Sequence, residues 1–250
     1  MTLLLEDKVA FVSGAGRGIG AAAARLFARE GARLLLAART ADQLEAVTSD
    51  IRSLGGEAGF VVCDLADPAS VRAAIDRVVS LYGRLDVAFN NGATLTPPGE
   101  STESDFDRLY RVNLRGVWVA MTAQVAAIRA TAGRGAIVNN SSVGSLRGNP
   151  ALPAYGAMKR AVNSLTESAA ITYGPENIRI NAIAPGNTRT EMIEAWAANS
   201  PGLVERLIAN SPLRRQADPA EIAEAAAWLL SDRSSFVTGT VLRVDGGAGA

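Results

Sequence analysis

Ser13-Gly14-Ala15-Gly16-Arg17-Gly18-Ile19-Gly20 is the stretch on which the reading of this chain turns. It follows a short apolar run, KVAFVS from Lys8 to Ser13, and leads into IGAAAARLFARE, Ile19 to Glu30. A strand, a glycine-rich bend and a helix are expected in that order. Glycines in such a bend have two uses. They allow a tight turn, and they leave the backbone N–H groups at the helix start bare, where a pyrophosphate can approach and the helix dipole favours its charge.

Outward from this stretch the same alternation continues. RLLLAA (Arg33 to Ala38), GFVVC (Gly59 to Cys63), RLDVAFN (Arg84 to Asn90), GAIVNNS (Gly135 to Ser141), IRINAIA (Ile178 to Ala184) and TVLRVDG (Thr240 to Gly246) read as strands. Helical patterns separate them. One opens with a Thr40-x-x-Gln43 capping box and runs to about Leu54. Others run from Pro68 to near Gly83, from Asp105 to Ala132, and from Pro153 to Tyr173. The pattern predicts an α/β fold: one Rossmann-type, doubly wound parallel sheet of about seven strands, helices on both faces, as a single domain over 1–250. The stretch after Pro185 departs from the alternation, and residues 187–217 read as an inserted lid over a substrate site.

In a doubly wound sheet the first strand–helix bend is where dinucleotides bind, so the phosphate-binding use is the favoured one. The end of the second strand bears on which dinucleotide. An NAD site usually has an acid there for the ribose 2′-OH. This chain has Ala38 followed by Arg39, and Arg17 within the bend. A guanidinium suits a 2′-phosphate, so NADP(H) is expected over NAD(H); the less favoured reading leaves both arginines as solvated loop residues.

Composition narrows the chemistry further. Of 250 residues, 25 are basic and 25 acidic, which gives no field for nucleic acid. Histidine is absent, which excludes a Ser-His-Asp triad and histidine-ligated metals. Cys63 is the single cysteine, so no intrachain disulfide forms. No apolar run is long enough to span a membrane and no signal peptide opens the chain; a soluble, cytoplasmic protein is expected. Any general base must be Tyr, Lys, Asp, Glu or Cys. Tyr155 and Lys159, four apart in AYGAMKRAV, share a helix face, so the ammonium can favour the phenolate.

The glycine bend, NNGA (Asn90 to Ala93), NSS (Asn140 to Ser142) and YGAMK together resemble the short-chain dehydrogenase/reductase family, in its single-domain, 3-oxoacyl-ACP-reductase-like branch. VNLRG (Val112 to Gly116), APGNTRT (Ala184 to Thr190) and the VDGG near the C-terminus extend the resemblance over the whole chain. It implies interconversion of a carbonyl and a secondary alcohol by hydride transfer, with Tyr155 as acid/base beside Lys159. Ser142 matches the serine that holds the substrate oxygen, with Ser141 as the less favoured neighbour. Asn113 matches an asparagine of a proton relay, and Asn90 one that braces the central strands. Cofactor contacts are implied at Gly14, Gly16, Arg17, Gly18, Ile19 and Gly20, at Arg39, and at Asp64 and Leu65 near the adenine. They are implied also at Asn91 and Gly92, at Tyr155 and Lys159, and at Pro185, Gly186, Thr188 and Thr190 beside the nicotinamide. Gly92-Ala93 inverts the family's Ala-Gly order. The family's assembly implies a homotetramer through the helices near 105–132 and 153–173. The loops 94–101 and 144–152 and the lid, with Met192, Ile193, Trp196, Leu203, Leu207 and Ile208, imply a small, partly apolar substrate. A catalytically idle dinucleotide-binding sensor is the alternative.

Overall fold

The computed structural model describes residues 3–96, 102–198 and 200–250; part of the loop 94–101, from residue 97 on, lies outside them. Seven parallel strands form one sheet: β1 (Val9–Ser13), β2 (Arg33–Ala38), β3 (Ala58–Val62), β4 (Val87–Asn90), β5 (Gly135–Asn140), β6 (Ile178–Pro185) and β7 (Val241–Val244). Their order is β3-β2-β1-β4-β5-β6-β7. The chain winds outward from β1 in one direction, then returns and winds the other way from β4. β1 pairs with both β2 and β4, Ser13 lying opposite Ala37 and Asn90. Successive crossovers leave opposite faces at this point, so a crevice opens at the strands' C-terminal ends.

Helices α1 (Gly18–Arg29), α2 (Ala41–Ser53) and α9 (Pro219–Leu230) cover one face of the sheet, and α3 (Pro68–Tyr82), α5 (Gly116–Thr131) and α6 (Pro153–Tyr173) cover the other. Leu34, Leu35 and Leu36 alternate between the two resulting cores and are fully buried, each worth roughly 1.5–3 kcal/mol. This is why β2 reads as an unbroken apolar run rather than an alternating one. A buried amide cluster ties the centre together. Asn90 Nδ2 donates to Gln124 Oε1 and Asn139 Oδ1, both at 2.9 Å, and Asn139 Nδ2 donates to Thr166 Oγ1 at 3.0 Å. These bonds link β4, β5, α5 and α6, the bracing expected of Asn90.

Two expected elements differ. Thr40 caps α2 with no side-chain hydrogen bond, so the Thr40–Gln43 capping box does not form. Gln43 instead lies against the glycine bend, where a Cβ on Gly16 would meet its side chain at 3.0 Å. The long helix expected over 105–132 is divided into α4 (Glu103–Leu109), a π turn (Tyr110–Arg115) and α5. α4 begins two residues earlier than expected because Thr102 and Asp105 form a capping box there. The wider turn turns Asn113 inward, where its amide exchanges two 2.8 Å bonds with the Thr94 backbone. That pairing is tertiary and leaves no trace in local periodicity.

Candidate active site

A cavity of about 1010 Å³ runs along the C-terminal ends of the strands. One end is the glycine bend. Gly14 and Gly18 take φ of +66° and +53°, a left-handed region that side chains rarely adopt. Gly20 is close-packed for another reason: a Cβ there would overlap the Gly14 carbonyl. α1 starts with no side-chain cap and no acid in its first turn, so its leading N–H groups remain available to an anion. The residues present therefore fit a dinucleotide: an uncapped helix start for the pyrophosphate, and Asp64 and Leu65 in the wall beside it. Arg17 and Arg39 both line the cavity, both are exposed, and neither forms an ion pair with another described residue. Ala38 is the last residue of β2 and Arg39 follows it. Leu65 occupies the space beside Gly92, where a Cβ would meet its Cδ1 at 2.5 Å. The inverted Gly92-Ala93 order thus matches a leucine that leaves room only for hydrogen at position 92.

Deeper in, α6 presents the pair. Pro153 starts α6 at a position that needs no backbone N–H, so Tyr155 and Lys159 fall on successive turns of its cavity-facing side. Lys159 is buried, its Nζ 5.7 Å from the Tyr155 ring centroid, and donates at 2.6 Å to the Asn140 carbonyl. Burial pulls its ammonium down to about 8. Tyr155 and Ser142 share the cavity wall. Burial pushes the Tyr155 phenol up to about 12 against a smaller opposing pull from the Ser142 hydroxyl. Desolvation of the phenolate is the largest effect on this group, and it runs opposite to the lowering expected from Lys159. Ser142 Oγ accepts from Gly144 N at 3.1 Å, which restrains its rotamer. Ser141 Oγ instead donates to the Lys159 carbonyl at 3.2 Å.

The other end is less polar. Val143, Leu152, Met192, Trp196, Leu203 and Leu207 line it, with Arg147 and Arg206 at its edge. α7 (Glu191–Ala197) and α8 (Leu203–Ala209) form the insertion. Its two ends are clasped where Arg189 N donates to the Ala217 carbonyl at 3.0 Å and Ala217 N to the Asn187 carbonyl at 2.9 Å. Ile208 does not reach the cavity.

Of the residues singled out from the sequence, Gly20 and Asn113 do not line the cavity: Gly20 packs behind Gly14, and the Asn113 amide is spent on Thr94. The others line it. Gln43, Thr40, Cys63 and Asn140 also line it and were given no catalytic or cofactor role from the sequence. The polar pair Asn139-Asn140 inside an otherwise apolar strand is the signal that could have found the last of these.

The family model of enoyl-(acyl carrier protein) reductases matches residues 14–249. An A-factor type gamma-butyrolactone 1′-reductase of Streptomyces virginiae is 44% identical over 98% of this chain and 96% of its own. A cyclohexanol dehydrogenase of an Acinetobacter species is 36% identical over 98% and 96%. The crystal structure of a levodione reductase superposes with a TM-score of 0.94 at 34% identity, covering 98% of each chain. The chain belongs to the short-chain dehydrogenase/reductase family. It is an oxidoreductase of the kind that interconverts alcohols and carbonyls with NAD(P)(H), resembling the acyl-carrier-protein reductases.

Proposed function

We propose that this protein is an NADP(H)-preferring reductase of ketones, reversible to the secondary alcohol, with Tyr155 as the proton donor and acceptor. The observation that carries the reading is the placing of Ser142, Tyr155 and Lys159 together on the wall of a cavity that has the glycine bend at one end and an apolar chamber at the other. The bound nicotinamide supplies or accepts the hydride. The chain's own groups do the rest. A substrate oxygen seated between the Tyr155 hydroxyl and Ser142 Oγ is held in place, and charge developing on it is stabilised by both donors. A phenol pushed up to about 12 stands protonated at neutral pH, the form that a carbonyl reduction needs. In alcohol oxidation the same oxygen takes the proton, and the buried Lys159 ammonium opposes the cost of its charge.

The names of the butyrolactone reductase and cyclohexanol dehydrogenase suggest a ring-bearing substrate, which suits the apolar chamber. Residues 187–217 serve as its lid. Arg39, with Arg17, holds the adenosine 2′-phosphate. Exposed Phe106, Tyr110 and Trp118 on α4, the π turn and α5 are covered by further copies in a homotetramer working in the cytoplasm, and a monomer mass by light scattering would count against that assembly. Tyr155→Phe tests the central claim. It keeps the ring in place, so NADPH binding survives, while turnover of a cyclic ketone falls by roughly 10²–10⁴-fold. Near-full turnover in that variant would move the proton transfer elsewhere, and NADPH binding without turnover of any carbonyl by the unmutated protein would favour a sensor.

A further inference from the structure

β5 ends in two asparagines whose side chains point to opposite faces of the sheet, and only Asn139 belongs to the amide cluster of the core. Asn140 faces the cavity side. Its backbone carbonyl accepts the Lys159 ammonium at 2.6 Å. Its Nδ2 donates to Asn91 Oδ1 at 2.9 Å. Asn91 Nδ2 donates in turn to the carbonyls of Ser13 and Gly14 at 3.3 and 3.2 Å. One residue thus touches the catalytic lysine through its backbone and the glycine bend through a single intermediate.

The direction of these bonds is fixed by chemistry. Backbone carbonyls only accept, so Asn91 must turn its NH₂ group to the bend and its oxygen to Asn140. Asn140 must then answer with its own NH₂ group, which leaves its Oδ1 buried with no partner among the described residues. Asn140 is only 9% exposed, and a buried acceptor without a donor is costly. An aliphatic side chain of similar volume would fill the place without stranding an oxygen. What the amide contributes is therefore the bond to Asn91. Position 20 is shaped around the same contact: a Cβ on Gly20 would come within 2.6 Å of Asn91 Nδ2.

We propose that Asn140 is a positioning residue for the cofactor cradle. Acting through Asn91, it holds the Ser13–Gly14 turn in a set place relative to Lys159, so that a dinucleotide gripped at its pyrophosphate presents its other end to the Tyr155–Lys159 pair. The proposal rests on the reading of the glycine bend as a dinucleotide site.

Calorimetric titration of NADPH, and separately of ADP, into the folded protein tests it. ADP carries the pyrophosphate but none of the nicotinamide half. Asn140→Leu is expected to weaken both by about tenfold, the scale of one lost buried hydrogen bond. Asn140→Asp, which keeps the shape and sets an oxygen against Asn91 Oδ1, should weaken both at least as much; it serves if the leucine variant fails to fold, as judged by its melting curve. Asn91→Ala should do comparable harm, and the double variant should be no worse than the poorer single one, because both substitutions break one chain of bonds. Unchanged affinity in the Asn140 variants would overturn the proposal. So would a loss confined to NADPH, which would place Asn140 at the nicotinamide instead, and so would losses that multiply in the double variant. If the unmutated protein bound neither NADPH, NADH nor ADP, the dinucleotide reading itself would fall and this inference with it.

Discussion

Replacing Lys159 by methionine removes one charge while nearly preserving length, and the structure says what that charge is worth to Tyr155. The ammonium lies 5.7 Å from the phenol ring centroid. At an effective dielectric constant of about 20, two unit charges about 6 Å apart interact by about 3 kcal/mol, or about two pKa units. Lys159→Met should therefore raise the pKa governing alcohol oxidation by about two units and lower kcat/KM at neutral pH about 100-fold. The sign follows from the group: without the cation, phenolate is harder to form, so the rate climbs only at higher pH. Burial holds the lysine itself near 8, so its support fades above that pH unless phenolate formation retains its proton. Lys159→Arg keeps a cation at every accessible pH and should restore the lower pKa wherever the guanidinium fits. The assay is the initial rate of NADP⁺-dependent oxidation of a cyclic secondary alcohol from about pH 6 to 11, with saturating cofactor to separate binding from chemistry. A Lys159→Met profile that overlays the unmutated one would refute the electrostatic role and leave the lysine as a packing or cofactor-binding residue only.

Lys159 also carries a stability prediction. Its pKa falls from 10.5 to about 8 on folding, so between those values the unfolded chain binds more protons and stability rises with pH; below 8 the whole penalty stands. Lys159→Met should thus be more stable at pH 7 by up to about 3 kcal/mol, less what the bond to Asn140 contributes, and urea denaturation should show the advantage fading toward pH 10.5. Arg39→Asp should reverse the cofactor preference, since it replaces the cation beside Ala38 with an acceptor for a ribose hydroxyl; equal NADH and NADPH affinities before mutation would contradict the reading. Gly20→Ala should leave a folded protein with NADPH binding weakened at least about tenfold, because its methyl displaces the Gly14 carbonyl and Asn91; wild-type affinity would show that the bend is not the cradle.

What the sequence determined by itself was everything carried by local period and local chemistry. The unbroken apolar run of β2, the helix-spaced residues between the strands, and the glycines of Ser13–Gly20 each express a preference of a few neighbouring residues. A doubly wound sheet follows from their order, because right-handed crossovers leave few other arrangements. Tyr155 and Lys159 share a face for the same local reason, one helical turn apart.

The remainder depended on contacts between residues distant in the chain. The helix across 110–115 widens into a π turn because Asn113 pairs with Thr94, nineteen residues earlier. Gln43 leaves the cap that its spacing suggests because the glycine bend offers it a surface. Tyr155 and Lys159 look like mutual support in sequence. Only the enclosing fold decides that burial drives the phenol up and the ammonium down, because desolvation depends on how much protein surrounds a group rather than on which residue lies four positions away. Asn140 is the same case: next to Ser141 it reads as one more strand residue, and it becomes the link between Lys159 and Gly14 only when β1, β4 and β5 end side by side.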